Sequence, residues 1–291
     1  ELADDKAALA MAYNALQLAY MRSGRVGESS YGRKAMRAYE QLADLAGQGH
    51  CANNLAIAAH QDGRWADAEE MFGRAAETFG RIGDVANESN ALYNRGDLLV
   101  RQGRFAEAEP LLAEVDRTAR AVADAELVAL ALRERARACA GLGDLDAALA
   151  LFDGARAGFA ELGVSHEIPL LEAAQAEGLL RAGRPDEALA LLDNALAGPA
   201  ELLPMVRRLR ALTLAGLGRL QDAAAEAEQG LRLDLGGDGG YELAMLLLAQ
   251  AHVADLASGA ASPPPDEAVD ILRRLGVDGP ADPSGIVRAS V

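Results

Sequence analysis

Small and large apolar residues return along this chain at helical intervals, and the groups they form recur in turn. Ala52, Leu55, Ala56 and Ala59 fall on one face of a helix, and after Gly63 a second stripe follows with Ala68, Phe72 and Ala75 at i, i+4 and i+7. The same triplet comes back as Ala108/Leu112/Val115, Ala148/Phe152/Ala155 and Ala188/Leu192/Ala195, small residue first each time. Two amphipathic helices per unit are predicted, crossing closely where the small residue stands, because a methyl group lets two backbones approach. Leucine in place of Ala108 is expected to overpack that crossing by about 1–3 kcal/mol, seen as a lowered melting temperature. An unchanged melt would contradict the helix pairing.

Punctuation separates the stripes. A glycine followed within a few residues by an acidic residue and then Ala or Ser opens six phrases, at Gly24, Gly63, Gly103, Gly143, Gly183 and Gly218; the middle four lie 40 residues apart. Each glycine is read as the left-handed residue that ends one helix. Asp67, Glu107 and Glu187 then sit in the first turn of the next, where a carboxylate complements the helix dipole, and Pro185 suits the same turn. A second set of breaks lies at Asp44, Gly83-Asp84, Asp124, Gly163 and Gly198-Pro199. Asp44, Asp84 and Asp124 are again 40 apart, and are read as N-caps rather than as three carboxylates of one site.

A fixed period in this range means stacked supersecondary units, each packed on its neighbours. The units run over about 5–44, 45–84, 85–124, 125–164, 165–199, 200–236 and 241–275, so that residues 1–275 form one solenoid. The ends depart from the pattern. The first unit places Ser29 and Arg33 where a small and a large apolar residue belong, and the sixth has Ala227 and Gly230, which predicts thin packing. In the seventh, Tyr241 to Ala257 is one helix, Ser262-Pro263-Pro264-Pro265 the turn and Asp266 to Leu275 the other. The Gly-, Pro-, Asp- and Ser-rich stretch 276–291 is read as a disordered tail.

Composition agrees with helix throughout: 51% of the 291 residues are hydrophobic but only 4% aromatic, so the core is mostly Ala and Leu. A formal net charge of -16 argues against a nucleic-acid partner. Apart from Lys6 and Lys34 every basic residue is Arg, a bias expected of a GC-rich bacterial genome. Cys51 and Cys139 lie far apart and read as small buried thiols of a reducing cytoplasm. The longest apolar run, Leu243 to Ala249, fits a buried helix and is too short to cross a membrane. The chain opens on Glu1 in mid-pattern, as a piece of something longer would.

The phrase Gly63-x-Trp65-x-x-Ala68 with Phe72 and Ala75 beyond it, together with its counterparts, resembles the tetratricopeptide repeat. Asn54-Leu55-Ala56 and Asn94-Arg95-Gly96 are similar to the Asn-Leu-Gly of that family's first helix. The 40-residue period resembles the longer-helix variety found in bacterial STAND-type regulators and multidomain nucleotidyl cyclases. The resemblance implies an all-α, right-handed α-solenoid of six to seven hairpins whose first helices line a concave groove. It also implies that residues opposite the core stripe of those helices face a ligand. They are His50, Asn53, Asn54, Ile57 and Gln61 in the second unit, and Asn90, Tyr93, Asn94, Asp97 and Arg101 in the third. The fourth unit offers Leu130, Arg133, Glu134 and Arg137. In peptide-binding members of the family an asparagine at the place of Asn54 and Asn94 bonds a ligand backbone, and Asn14 would be a third, with one extra residue in the loop before Gly24. Amides pair donor with acceptor as a peptide backbone does, Tyr93 offers a rigid surface, and Arg133 and Arg137 suit a carboxylate unless Glu134 and Asp97 neutralise them. The fifth unit, with Ala173, Ala174 and Glu177 at these places, carries no recognition signature.

Catalytic patterns are missing from the sequence. There is no phosphate-binding Gly-x-x-x-x-Gly-Lys-[Ser/Thr] and no Gly-x-Ser-x-Gly elbow, and Gly236-Gly237-Asp238-Gly239-Gly240 reads as a link rather than a phosphate loop. His50, His60, His166 and His252 lack partners at metal-ligand spacing, and Trp65 reads as a packing residue. The expectation is a non-enzymatic domain without cofactor or metal that binds a protein or peptide, as the regulatory or scaffolding part of a larger bacterial signalling or transcription-regulating protein. Self-association as a homodimeric spacer and the sensing of a small molecule or signalling peptide are the alternatives.

Overall fold

A computed structural model describes residues 2–23, 30–233, 235 and 240–277. Within them lie fourteen α-helices and no strand, and the chain is an all-α solenoid of helical hairpins. It divides into two compact units, one running to Leu98 and the other beginning at Leu99.

The first unit contains α1 (Leu2–Arg22), α2 (Tyr31–Gln41), α3 (Leu45–Gln61), α4 (Trp65–Ile82) and most of α5 (Val85–Arg101). Successive helices pack antiparallel in pairs, and the predicted stripe is their core: Ala52, Ala75, Ala76, Phe79 and Ala91 form one cluster. Trp65 is fully buried with Nε1 donating to the His60 carbonyl at 3.2 Å, so it packs as the sequence indicates. The first repeat departs in register. The buried residues of α2 are Gly32, Ala35 and Tyr39, each 40 residues before Phe72, Ala75 and Phe79, whereas Arg33 is exposed. The expected apolar position is therefore Gly32, one residue earlier than Arg33, and Leu55 fills the space where its side chain would stand, 2.5 Å from an added Cβ. Ser29 and the Gly24 phrase lie outside the described residues.

The second unit continues with α6 (Phe105–Ala121), α7 (Ala125–Gly141), α8 (Leu145–Leu162), α9 (Ile168–Arg181), α10 (Pro185–Ala195), α11 (Leu203–Gly216), α12 (Leu220–Leu231), α13 (Tyr241–Ser258) and α14 (Asp266–Arg274). Ala108, Ala148 and Ala188 are wholly buried, each beside the predicted large residue Leu112, Phe152 or Leu192. The sixth repeat is not thinly packed. Leu246 of α13 reaches into the gap left by Gly230, 2.6 Å from where a Cβ would lie. Of the expected tail, Val277 is buried, and 278–291 lie outside the described residues, as does most of the glycine-rich link at 236–240. Among the described residues no helix is long and apolar enough to cross a membrane.

The turns show what the repeated phrase does. Gly63, Gly103, Gly143, Gly183 and Gly218 all adopt φ between +71° and +86°, the left-handed region in which a side chain meets the following carbonyl. Arginine next to the glycine is then used locally. Arg64 bonds Asp67 at 2.7 Å, Arg104 bonds Glu107 through two nitrogens at 2.7 Å, Arg184 bonds Glu187 likewise at 2.6 Å, and Arg219 reaches Asp222 at 2.7 Å. Where the fourth repeat has Asp144 instead, its carboxylate caps the helix directly by accepting from the Ala147 N–H at 3.1 Å. Asp44, Asp84 and Asp124 cap α3, α5 and α7 by accepting from the N–H of Gly47, Asn87 and Leu127 at 2.9–3.2 Å. The three aspartates are structural.

Before each of those caps a residue turns left-handed. At Gly83 and Gly163 this is free of strain, but the equivalent residues Ala43 and Ala123 are held at φ of 52° and 57°. An L-residue there carries about 1–2 kcal/mol of strain, partly offset in a glycine variant by the greater freedom of its unfolded chain. Ala123→Gly is therefore expected to raise stability by about 0.5–1 kcal/mol, measured as a higher urea midpoint. A lower midpoint would mean that the turn is not strained.

Candidate functional site

The first helices of successive repeats run side by side, so residues 40 apart on them become neighbours. In the first unit this brings asparagines together. Asn54 Nδ2 donates to Asn14 Oδ1 at 3.1 Å, and Asn94 Nδ2 donates to Asn53 Oδ1 at 3.2 Å. The result is a ladder of four half-buried amides across α1, α3 and α5. Each amide has two N–H donors and an oxygen with two lone pairs, so one bond per side chain leaves capacity for an incoming group. Tyr93 and Asp97, half-buried, lie on α5 with Asn94. The other two predicted residues are placed differently. Asn90 is exposed and donates to the Ala86 carbonyl of its own helix at 3.0 Å. His50 is exposed and leans edge-on against Phe79, with ring centroids 5.0 Å apart.

In the second unit the predicted arginines sit in a charged cluster. Arg133 is only 5% exposed, and its Nε donates to Glu134 at 2.8 Å while Nη1 reaches Glu167. Arg137 Nη1 meets the other oxygen of Glu134 at 2.7 Å. Glu134, itself 1% exposed, thus bridges both arginines, as the sequence suggested for it. Arg133 is tied into the helix stack, and only Arg137 also borders open space.

That space is a cavity of about 210 Å³, formed by the end of α5, the turn into α6, and α7, α9 and α13, with Val277 beyond α14. Arg101, Arg137, Arg181, Glu177, Tyr241 and Gln102 supply its polar lining, and Phe105, Met245, Val100 and Val277 its apolar lining. Arg181 bonds Glu177 at 3.1 Å and lies over the Phe105 ring, 5.8 Å from its centroid. Gln102 Nε2 donates to the Leu275 carbonyl at 3.4 Å and ties the C-terminal hairpin to the rim. Burial works against ionisation of Glu177, but Arg181, Arg208 and Arg137 outweigh it and hold its carboxyl at about 2. Arg208, 2% exposed, is also opposed by burial, yet Glu242, at 3.0 Å, and Glu177 keep it firmly protonated. Burial raises the pKa of the Tyr241 hydroxyl, so it stays neutral.

The fifth repeat, which the sequence reading set aside, therefore contributes Ala174, Glu177, Gly178 and Arg181 to the cavity wall. The signal was there: an acid and an arginine four apart on the inward stripe, flanked by two residues small enough to leave room. Nothing local marks Tyr241, Met245 or Val277, which come from the last hairpin. Both cysteines are free and buried, and burial, reinforced by Glu40, pushes the Cys51 thiol up to about 12 despite a backbone hydrogen bond. Among the described residues no group of His, Cys, Asp and Glu side chains has metal-binding geometry.

Comparison with known proteins agrees with the hairpin architecture. No curated protein matches the chain. Two family profiles do, each described as tetratricopeptide repeat: one over residues 87–161 and the other over 53–120 and 173–239. Together they span more than half of the sequence and coincide with the hairpins built on Gly63, Gly103, Gly143, Gly183 and Gly218. The chain belongs to the tetratricopeptide repeat family.

Proposed function

We propose that this chain is a recognition module that binds an extended peptide or protein segment along the inward faces of its first helices. Repeats of this family are in general protein-interaction modules. The observation that supports the finer reading is the amide ladder of Asn14, Asn54, Asn53 and Asn94. Bonding across neighbouring helices fixes each side chain before a ligand arrives, so less rotamer freedom is lost on binding. What each amide retains is the donor and acceptor pair that a peptide backbone demands. On this reading the chain is the regulatory or scaffolding part of a larger cytoplasmic signalling or transcription-regulating protein of a bacterium.

The test is selection from a random peptide display library on the whole chain, followed by affinity measurement on the Asn54→Ala/Asn94→Ala variant. Loss of two backbone-directed amides is expected to weaken a selected peptide about tenfold or more while leaving the helical circular dichroism intact. Undiminished affinity would remove the ladder from the binding surface.

A further inference from the structure

The cavity of the second unit points to a different kind of ligand. Its walls carry three guanidinium groups, from Arg101, Arg137 and Arg181, against one carboxylate, Glu177, in a chain whose net charge is -16. Arg208 stands close enough to act on both Glu177 and Tyr241, and its Nη1 is buried without a hydrogen-bond partner. The local potential is therefore positive, and the carboxyl of Glu177 registers it, since it remains ionised down to about 2 in a place where burial alone would favour the neutral acid. The lining is also two-faced, because Phe105, Met245, Val100 and Val277 supply an apolar side. At about 30 Å³ per water, a cavity of about 210 Å³ accepts on the order of ten non-hydrogen atoms, fewer than a peptide segment brings.

We infer that this cavity binds a small organic carboxylate with an apolar body, its carboxylate set among Arg101, Arg137 and Arg181 and its body against Phe105 and Met245. Guanidinium groups match a carboxylate's two oxygens, and the surrounding burial strengthens each charge-assisted bond. The last hairpin closes the site: Tyr241 and Met245 come from α13, Val277 follows α14, and the Gln102 bond to the Leu275 carbonyl holds that segment in place. Occupancy would stabilise this closure and so connect the chain's C-terminal hairpin to its middle repeats. The inference is independent of the amide ladder, which lies on other residues of the other unit.

Titration calorimetry of the whole chain with phenylacetate, phenylacetamide, succinate and inorganic phosphate tests it. Phenylacetate is expected to bind with a Kd of about 1 mM or below, and the uncharged amide about tenfold more weakly. Arg101→Met is expected to lose about tenfold in phenylacetate affinity with its melting curve preserved. Val277→Trp, which adds bulk at the chain's described end, should abolish binding. The inference is overturned if phenylacetate and succinate both fail to bind at about 10 mM, if phenylacetamide binds equally well, if phosphate alone binds, or if Val277→Trp binds phenylacetate undiminished.

Discussion

Replacing Glu134 by alanine is expected to lower stability by about 3–5 kcal/mol, the largest effect of any single substitution considered for this chain. The magnitude follows from what is left behind. Arg133 is 5% exposed and Glu134 is 1% exposed, so neither charge is served by water. Removing the carboxylate takes away the 2.8 Å partner of the Arg133 Nε and the 2.7 Å partner of the Arg137 Nη1 in one step. Only Glu167 then remains to Arg133 among the contacts of that cluster. Urea unfolding followed by circular dichroism measures the loss. The clasp between Arg184 and Glu187 is the control: both groups are in solvent, water and salt screen the pair, and Glu187→Ala should leave the midpoint nearly unmoved. Equal effects from the two substitutions would show that Glu134 is not a buried bridge.

Acid is expected to weaken the second unit through Glu177. Its carboxyl lies at about 2 in the folded chain against an ordinary 4.5, so the folded state holds fewer protons than the unfolded state between those values. Stability from this group is complete above about pH 5 and falls as the pH drops through 4.5 towards 2, a change of about 3 kcal/mol at 1.36 kcal/mol per pH unit. Many carboxylates titrate in the same window, so the informative quantity is a difference. Wild type should lose about 3 kcal/mol more than Glu177→Gln between pH 6 and pH 2. Parallel pH profiles would mean that Arg181, Arg208 and Arg137 do not stabilise this carboxylate.

The sequence carried the architecture because repetition averages out local ambiguity. Ala68, Phe72 and Ala75 alone are a short amphipathic run; three further copies in phase make a hairpin the only economical reading. Glycine at C′ and aspartate at the N-cap are legible for the same reason, since each residue type is chosen by one backbone geometry. Ala43 and Ala123 were not, because alanine says nothing of a left-handed turn, and only their 40-residue spacing from Gly83 and Gly163 gives them away. The one-residue displacement in the first repeat came from anchoring on Gly24, whereas the buried pattern of Gly32, Ala35 and Tyr39 keeps the strict period.

Sites were less legible than scaffold. The asparagine positions could be counted back from the turn glycines, and the structure brings Asn14 to Asn54 and Asn53 to Asn94, a pairing that depends on how neighbouring helices are staggered. His50 and Asn90 share the stripe by spacing, but an aromatic neighbour and a backbone carbonyl engage them. The cavity was invisible from any one repeat. Its wall joins Arg101, Arg137, Glu177 and Tyr241, which are separated by up to 140 residues, and its closure depends on where the last hairpin docks.

The claim that recognition belongs to the first helices is tested most directly by hydroxyl-radical footprinting of the whole chain with and without a library-selected peptide. Bound peptide is predicted to protect Tyr93 on α5 from oxidation and to leave Met71, on the second helix α4, as reactive as in the free chain. Protection of Met71 with Tyr93 unchanged would place the ligand on the opposite face and contradict the account.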